Sequence, residues 1–119
     1  MTHTEFLSFL LRTVRAEGAA STLELVRNTR PAFHPIGAEA LAYHDTLAVF
    51  YVWAVDRLVA GGLSDFGVMW HPLLDVRSPQ VWWQAATLAS PDAMAHFIPS
   101  DLARAGEPQP VESAVLLAA

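Results

Sequence analysis

Residues Gly37–Gly62, GAEALAYHDTLAVFYVWAVDRLVAGG, constrain the fold more than any other stretch of the chain. Between the flanking glycines lie 23 residues with neither Pro nor Gly, enough for ~35 Å of helix at ~1.5 Å per residue. From Leu47 to Val55 every residue is apolar, so a helix here has no polar side to turn toward water. A helix apolar all round is buried, in a protein core or in a membrane. The run is nine residues long and is bracketed by Asp45 and Asp56–Arg57, whereas a membrane span requires ~20. The expectation is a central core helix over about residues 37–61, with Leu47, Phe50, Val52, Trp53 and Leu58 in the core.

The rest of the chain supplies short helices to cover it. Thr2 and Glu5 stand at capping-box spacing, in which each side chain satisfies a backbone N–H of the other. Phe6, Phe9, Leu10 and Val14 follow at helical spacing, and Gly18 is the natural stop. Ser21 and Glu24 repeat the box and predict the start of a second short helix. It must end by Arg30, because a residue before Pro is pushed out of the helical region. Arg30–Pro35, RPAFHP, reads as an extended connector.

Beyond Gly62, Phe66, Met69 and Trp70 fall in a turn or short helix, with Trp70 expected to fold back on the core. Ser78–Pro79 predicts a helix over Pro79–Leu88, with Ser as cap and Pro at the first helical position. Ser90–Pro91 repeats that start. The segment 106–110, GEPQP, is a linker in composition, and Val111–Ala119 is an apolar tail. Strand-like alternation is absent. The class expected is therefore all-α: a compact bundle of four to six helices over residues 1–106, then a linker and docking tail over 107–119.

Charge narrows the partners. The formal net charge is −5, and all seven basic residues are Arg. Residues 1–62 carry five Arg against six acids, and residues 63–119 two Arg against six acids. No basic stripe exists to neutralise phosphates, which argues against nucleic-acid binding. Apolar residues make up 53% of the chain and charged ones 16%, against a usual ~45–50% and ~25%. A chain this small cannot hide that much apolar surface comfortably, which points to a protein partner or a second copy. Cys is absent, so neither disulfide nor thiolate chemistry is open to it. The N-terminus lacks the basic and apolar regions of a signal peptide, and the cytoplasm is the expected compartment, with no membrane contact.

Two constellations could carry chemistry. His44–Asp45, with His34 as a third donor from the connector, is similar to the His–Asp pair of metal-dependent phosphohydrolases, whose imidazoles and carboxylates hold cations that activate water. Asp56 stands ~16 Å along the helix from Asp45, too far to share an ion. On its own terms the pair also reads as helix-surface residues near the polar end. Separately, Arg27–Asn28 followed by His34 resembles the Arg, polar residue, four-to-six-residue gap, His pattern of HEPN-type ribonucleases. Those are all-α domains of similar size, often dimeric. The resemblance implies that Arg27 and His34 would form the catalytic pair; without it, Arg27 is a cation suited to a helix C-terminus. Neither a phosphate-binding Gly-rich loop nor a nucleophile elbow is present, and no cofactor is expected.

The four Trp carry more information. Trp82 and Trp83 are adjacent, so on one helix they point ~100° apart and cannot face the same core. One of them should reach an edge, where Trp favours protein contact. Val111, Val115 and Leu116 fall on one face of a tail helix too short to stand alone in water. The reading favoured is a small non-catalytic interaction or regulatory protein of antitoxin, immunity or adaptor type, acting as an oligomer or accessory subunit. A HEPN-like ribonuclease comes next, and a His/Asp metal-dependent phosphohydrolase third.

Overall fold

The computed structural model describes residues 1–33, 42–102 and 106–111. Among these described residues there are six α-helices, α1 (His3–Glu17), α2 (Ala19–Thr29), α3 (Asp45–Ala60), α4 (Asp65–Met69), α5 (Ala85–Leu88) and α6 (Pro91–Ala95), with 3₁₀ turns at Pro72–Leu74 and Ser78–Val81. Among the described residues there is no strand, only an isolated antiparallel bridge between Phe33 and Ala42. The fold is all-α, with helices packed on one another.

The N-terminal hairpin forms from local signals. The Thr2–Glu5 capping box is complete. Gly18, at φ 86°, closes α1 and opens α2 in a single residue, a conformation that glycine adopts without the usual Cβ penalty. That tight reversal lets α2 begin at Ala19, so the Ser21–Glu24 pair lies inside the helix and does not cap it. Thr22 instead donates its hydroxyl back to Gly18 O (2.7 Å). α2 ends as expected at Arg30, in the left-handed region at φ 47°.

α3 is the organising element, and eleven of its sixteen residues are buried. It is shorter than the apolar pattern suggests. Ala42 pairs with Phe33 and His44 is extended at φ −134°, ψ 104°. The helix therefore starts at Asp45; the earlier part of the expected span, residues 37–41, lies outside the described residues. Leu47, Phe50 and Val52 are fully buried and Leu58 nearly so. Trp53 is a correction: it is only partly buried, at the rim of the core beside Trp82. The Arg57 guanidinium lies 5.0 Å from its ring centroid.

The centre belongs to Trp83, which is fully buried. Its ring meets Phe50 and Phe97 edge-on, and its Nε1–H donates to Ile98 O (2.8 Å). The expected helix over Pro79–Leu88 is broken. The 3₁₀ turn ends at Val81, Gln84 is extended, and α5 starts at Ala85. The Asp101 carboxylate accepts from Gln84 N and Thr87 Oγ1 across the break. Farther along, Pro108 is buried and Val111 packs against the core; Val115 and Leu116 lie outside the described residues.

Candidate functional site

Three places concentrate polar or exposed aromatic groups. The first is the start of α3. Arg27 on α2 forks onto Asp45, Nε to Oδ1 at 3.2 Å and Nη2 to Oδ2 at 3.1 Å. The Tyr43 hydroxyl donates to Oδ1 at 2.5 Å. Burial, together with this carboxylate, pushes the Tyr43 phenol well above its ordinary range. Arg30 covers the Tyr43 ring at 4.7 Å. The imidazole of His44 accepts from Leu47 N through Nδ1 (3.2 Å) and donates through Nε2 to Leu88 O (2.7 Å). Both ring nitrogens are thus committed to capping α3 and tying it to α5, and neither is left for a cation.

His44 and Asp45 are therefore buried framework residues, not the helix-surface pair suggested by their place in the sequence. Among the described residues no three His, Asp or Glu side chains could hold a metal ion together. Arg27 is engaged by Asp45, and His34, its partner in the ribonuclease resemblance, lies outside the described residues. Trp82 sits half-buried between Phe50 and Trp53. Trp83, offered above as a contact residue, is withdrawn from the surface altogether.

The His44 arrangement has a measurable consequence. Burial outweighs the hydrogen bond to Leu88 O and lowers the proton affinity of His44 below that of an ordinary histidine. The unfolded chain takes up this proton near pH ~6.5, the folded one only at lower pH. The stability it supports is complete above ~6.5 and is lost as pH falls through the folded value. Thermal midpoints should therefore fall between about pH 7 and about pH 5. His44→Asn, which can still cap the helix, should flatten that slope. An identical slope in the variant would rule the assignment out.

The second place is α4. Its Ser64 cap accepts from Gly67 N (3.1 Å), and Val68 is its buried anchor. Phe66 and Trp70 are four residues apart, so they share the opposite, outward side. They are 75% and 76% exposed, with ring centroids 6.1 Å apart. Trp70 thus does not fold back on the core as the sequence suggested, because a helix of five residues with Val68 inward must leave that side outward. At the ridge's edge, Arg15 reaches Asp65 Oδ1 (2.6 Å) and Leu63 O (2.9 Å).

The third place adjoins the ridge. A cleft of about 690 Å³ runs between the start of α1 and the segment after α4. Leu7, Met69, Trp70 and Leu74 give it apolar walls, and His3, His71 and Asp75 its polar groups. His3 donates Nε2–H to Leu74 O (2.7 Å) and packs edge-on against Tyr51 at 5.0 Å. His71 accepts from Leu73 N through Nδ1 (3.1 Å), which leaves Nε2 to carry its proton. Asp75 Oδ1 accepts from Arg77 N (2.8 Å).

Ridge and cleft share Trp70 and form one continuous surface. That surface, on an all-α domain, defines the chain as a helical protein with an aromatic-rimmed groove. Comparisons with protein-family models, curated proteins and solved structures find no match to this chain. Among the described residues, no helix is long and apolar enough to cross a membrane.

Proposed function

We propose that the chain is a small interaction or regulatory protein of antitoxin, immunity or adaptor type, working in the cytoplasm as an accessory subunit or oligomer. The observation that carries this reading is the pair Phe66 and Trp70, two large aromatics three-quarters bare on one helix face. Each such ring can remove ~150–250 Å² from water on binding, and Trp is over-represented among the residues that dominate interface energetics. The ridge adjoins a cleft that could seat a side chain. The polar groups at the start of α3 are consumed in holding the helix, which leaves this surface as the natural contact.

A photo-crosslinking residue at position 66 or 70, introduced into the chain in the cells that make it, tests the proposal. One discrete protein adduct is expected from both positions and none from Asp92 on α6. Absence of an adduct at both ridge positions, with the protein folded and expressed, would overturn it.

A further inference from the structure

We infer that the cleft beside Trp70 receives a segment of a different protein, one that presents a large apolar side chain with a Lys or Arg beside it. The inference rests on the contact reading above and adds the chemistry of the partner.

Charge selects this occupant from three. Among the described residues lining the cleft, Asp75 is the one carrying a full charge. His71 accepts the Leu73 N–H at its Nδ1, and His3 donates to the Leu74 carbonyl. Arg77 supplies a backbone N–H to Asp75, but its side chain is not among those lining the cleft. Among the described residues Asp75 therefore meets no cation across the cleft, and none of them donates to its Oδ2. Trp70 offers the ring face that a cation also favours.

A second copy of the chain is poorly suited. Each carries a net charge of −5, so two copies repel. Four of the chain's Arg are already spent: Arg15 on Asp65, Arg27 on Asp45, Arg30 over Tyr43 and Arg57 over Trp53. The chain's own C-terminal residues, 112–119, carry Glu112 and no cation, so they bring the wrong sign to Asp75. A basic, apolar segment from another protein satisfies both the walls and the charge, and the acidic surplus of residues 63–119 would speed its approach.

The test uses the full chain and two short labelled amphipathic peptides of one pattern, Leu/Lys and Leu/Glu, read by fluorescence anisotropy. The Leu/Lys peptide should bind at least about tenfold more tightly than its Leu/Glu twin, and raising the salt should narrow the gap. Asp75→Asn keeps an oxygen for the Arg77 N–H and removes only the charge; it should weaken Leu/Lys binding about fivefold. Asp92→Asn, an equal charge change on α6, should leave it unaltered. Trp70→Ala should weaken both peptides, and circular dichroism should show every variant folded.

Equal or stronger binding of the Leu/Glu peptide, or no effect of Asp75→Asn, overturns the inference while a Trp70→Ala loss upholds the contact surface. If Trp70→Ala and Phe66→Ala leave both peptides bound as before, the contact reading falls as well. Two further outcomes reassign the cleft. A dimer mass by light scattering that Trp70→Ala abolishes gives it to a second copy. Tighter Leu/Lys binding on Leu116→Asp gives it to the chain's own tail.

Discussion

Replacing Trp83 by Ala should cost about 3–5 kcal/mol of folding stability, a large share of the ~5–15 kcal/mol that holds a domain of this size together. The indole is fully buried at the meeting point of α3 and the C-terminal turns. It is flanked by Phe50 at 6.0 Å and Phe97 at 6.2 Å, both edge-on to its ring. Its loss also strands Ile98 O, which accepts the indole N–H. Trp83→Phe separates the two contributions: the ring contacts largely remain, and the missing donor should cost about 1–2 kcal/mol. Trp70→Ala is the contrast, because that ring is 76% exposed, and its effect should stay within about 0.5 kcal/mol. Urea unfolding followed by circular dichroism ranks the three. A Trp83→Ala midpoint no lower than that of Trp70→Ala would contradict the packing described here.

Asp45→Ala should produce the next largest loss. The carboxylate is nearly inaccessible, at 8% side-chain exposure, while Arg27 is 40% exposed. Removing one partner of a buried ion pair costs ~3–5 kcal/mol, but a half-solvated guanidinium is partly rescued by water. About 2–3 kcal/mol is expected on balance, because the buried Tyr43 hydroxyl also loses its acceptor. Asp45→Asn keeps that acceptor and sheds only the charge, so it should cost about half as much. In melting temperature the Ala variant should lie roughly 6–15 °C below the wild type. A shift of under about 2 °C would mean that the Arg27 fork adds nothing to the fold.

How much of this was legible in the sequence depended on how far apart the partners stand. Thr2 and Glu5 satisfy each other within one turn, and the box is visible by eye. Ser90–Pro91 is equally local, and Ser90 caps α6 as expected, accepting from Ala93 N (3.2 Å). The Leu47–Val55 run revealed its own burial, because no rotation of a helix could hide its apolar sides otherwise.

The failures share a cause. The start of α3 is set by the bridge to Phe33 and by an imidazole cap, and His is not among the residues that normally signal one. Its other nitrogen is answered by Leu88, forty-four positions away. The turn that sends Trp83 inward and leaves Trp82 at the rim depends on Asp101, seventeen residues beyond Gln84. For Phe66 and Trp70, spacing showed that they share a side. Nothing local showed that the core takes Val68 instead. The contact surface was sought in Trp82 and Trp83 because aromatic size was visible and exposure was not.

Thr46 gives the fold an order of assembly. From the first turn of α3, its hydroxyl serves Ala93 O, His96 O and Ile98 N, while His44 beside it serves Leu88 O. α5 and α6 are four and five residues long, far below the length at which a helix persists alone. They are templated by α3 and cannot precede it. During synthesis α1, α2 and α3 leave the ribosome while the seat of Trp83 is still empty. For the time it takes to add the second half of the chain, this apolar helix stands with one side open. The nascent chain is then most exposed to misassociation, and a chaperone or the protein's own partner has most to gain by arriving early.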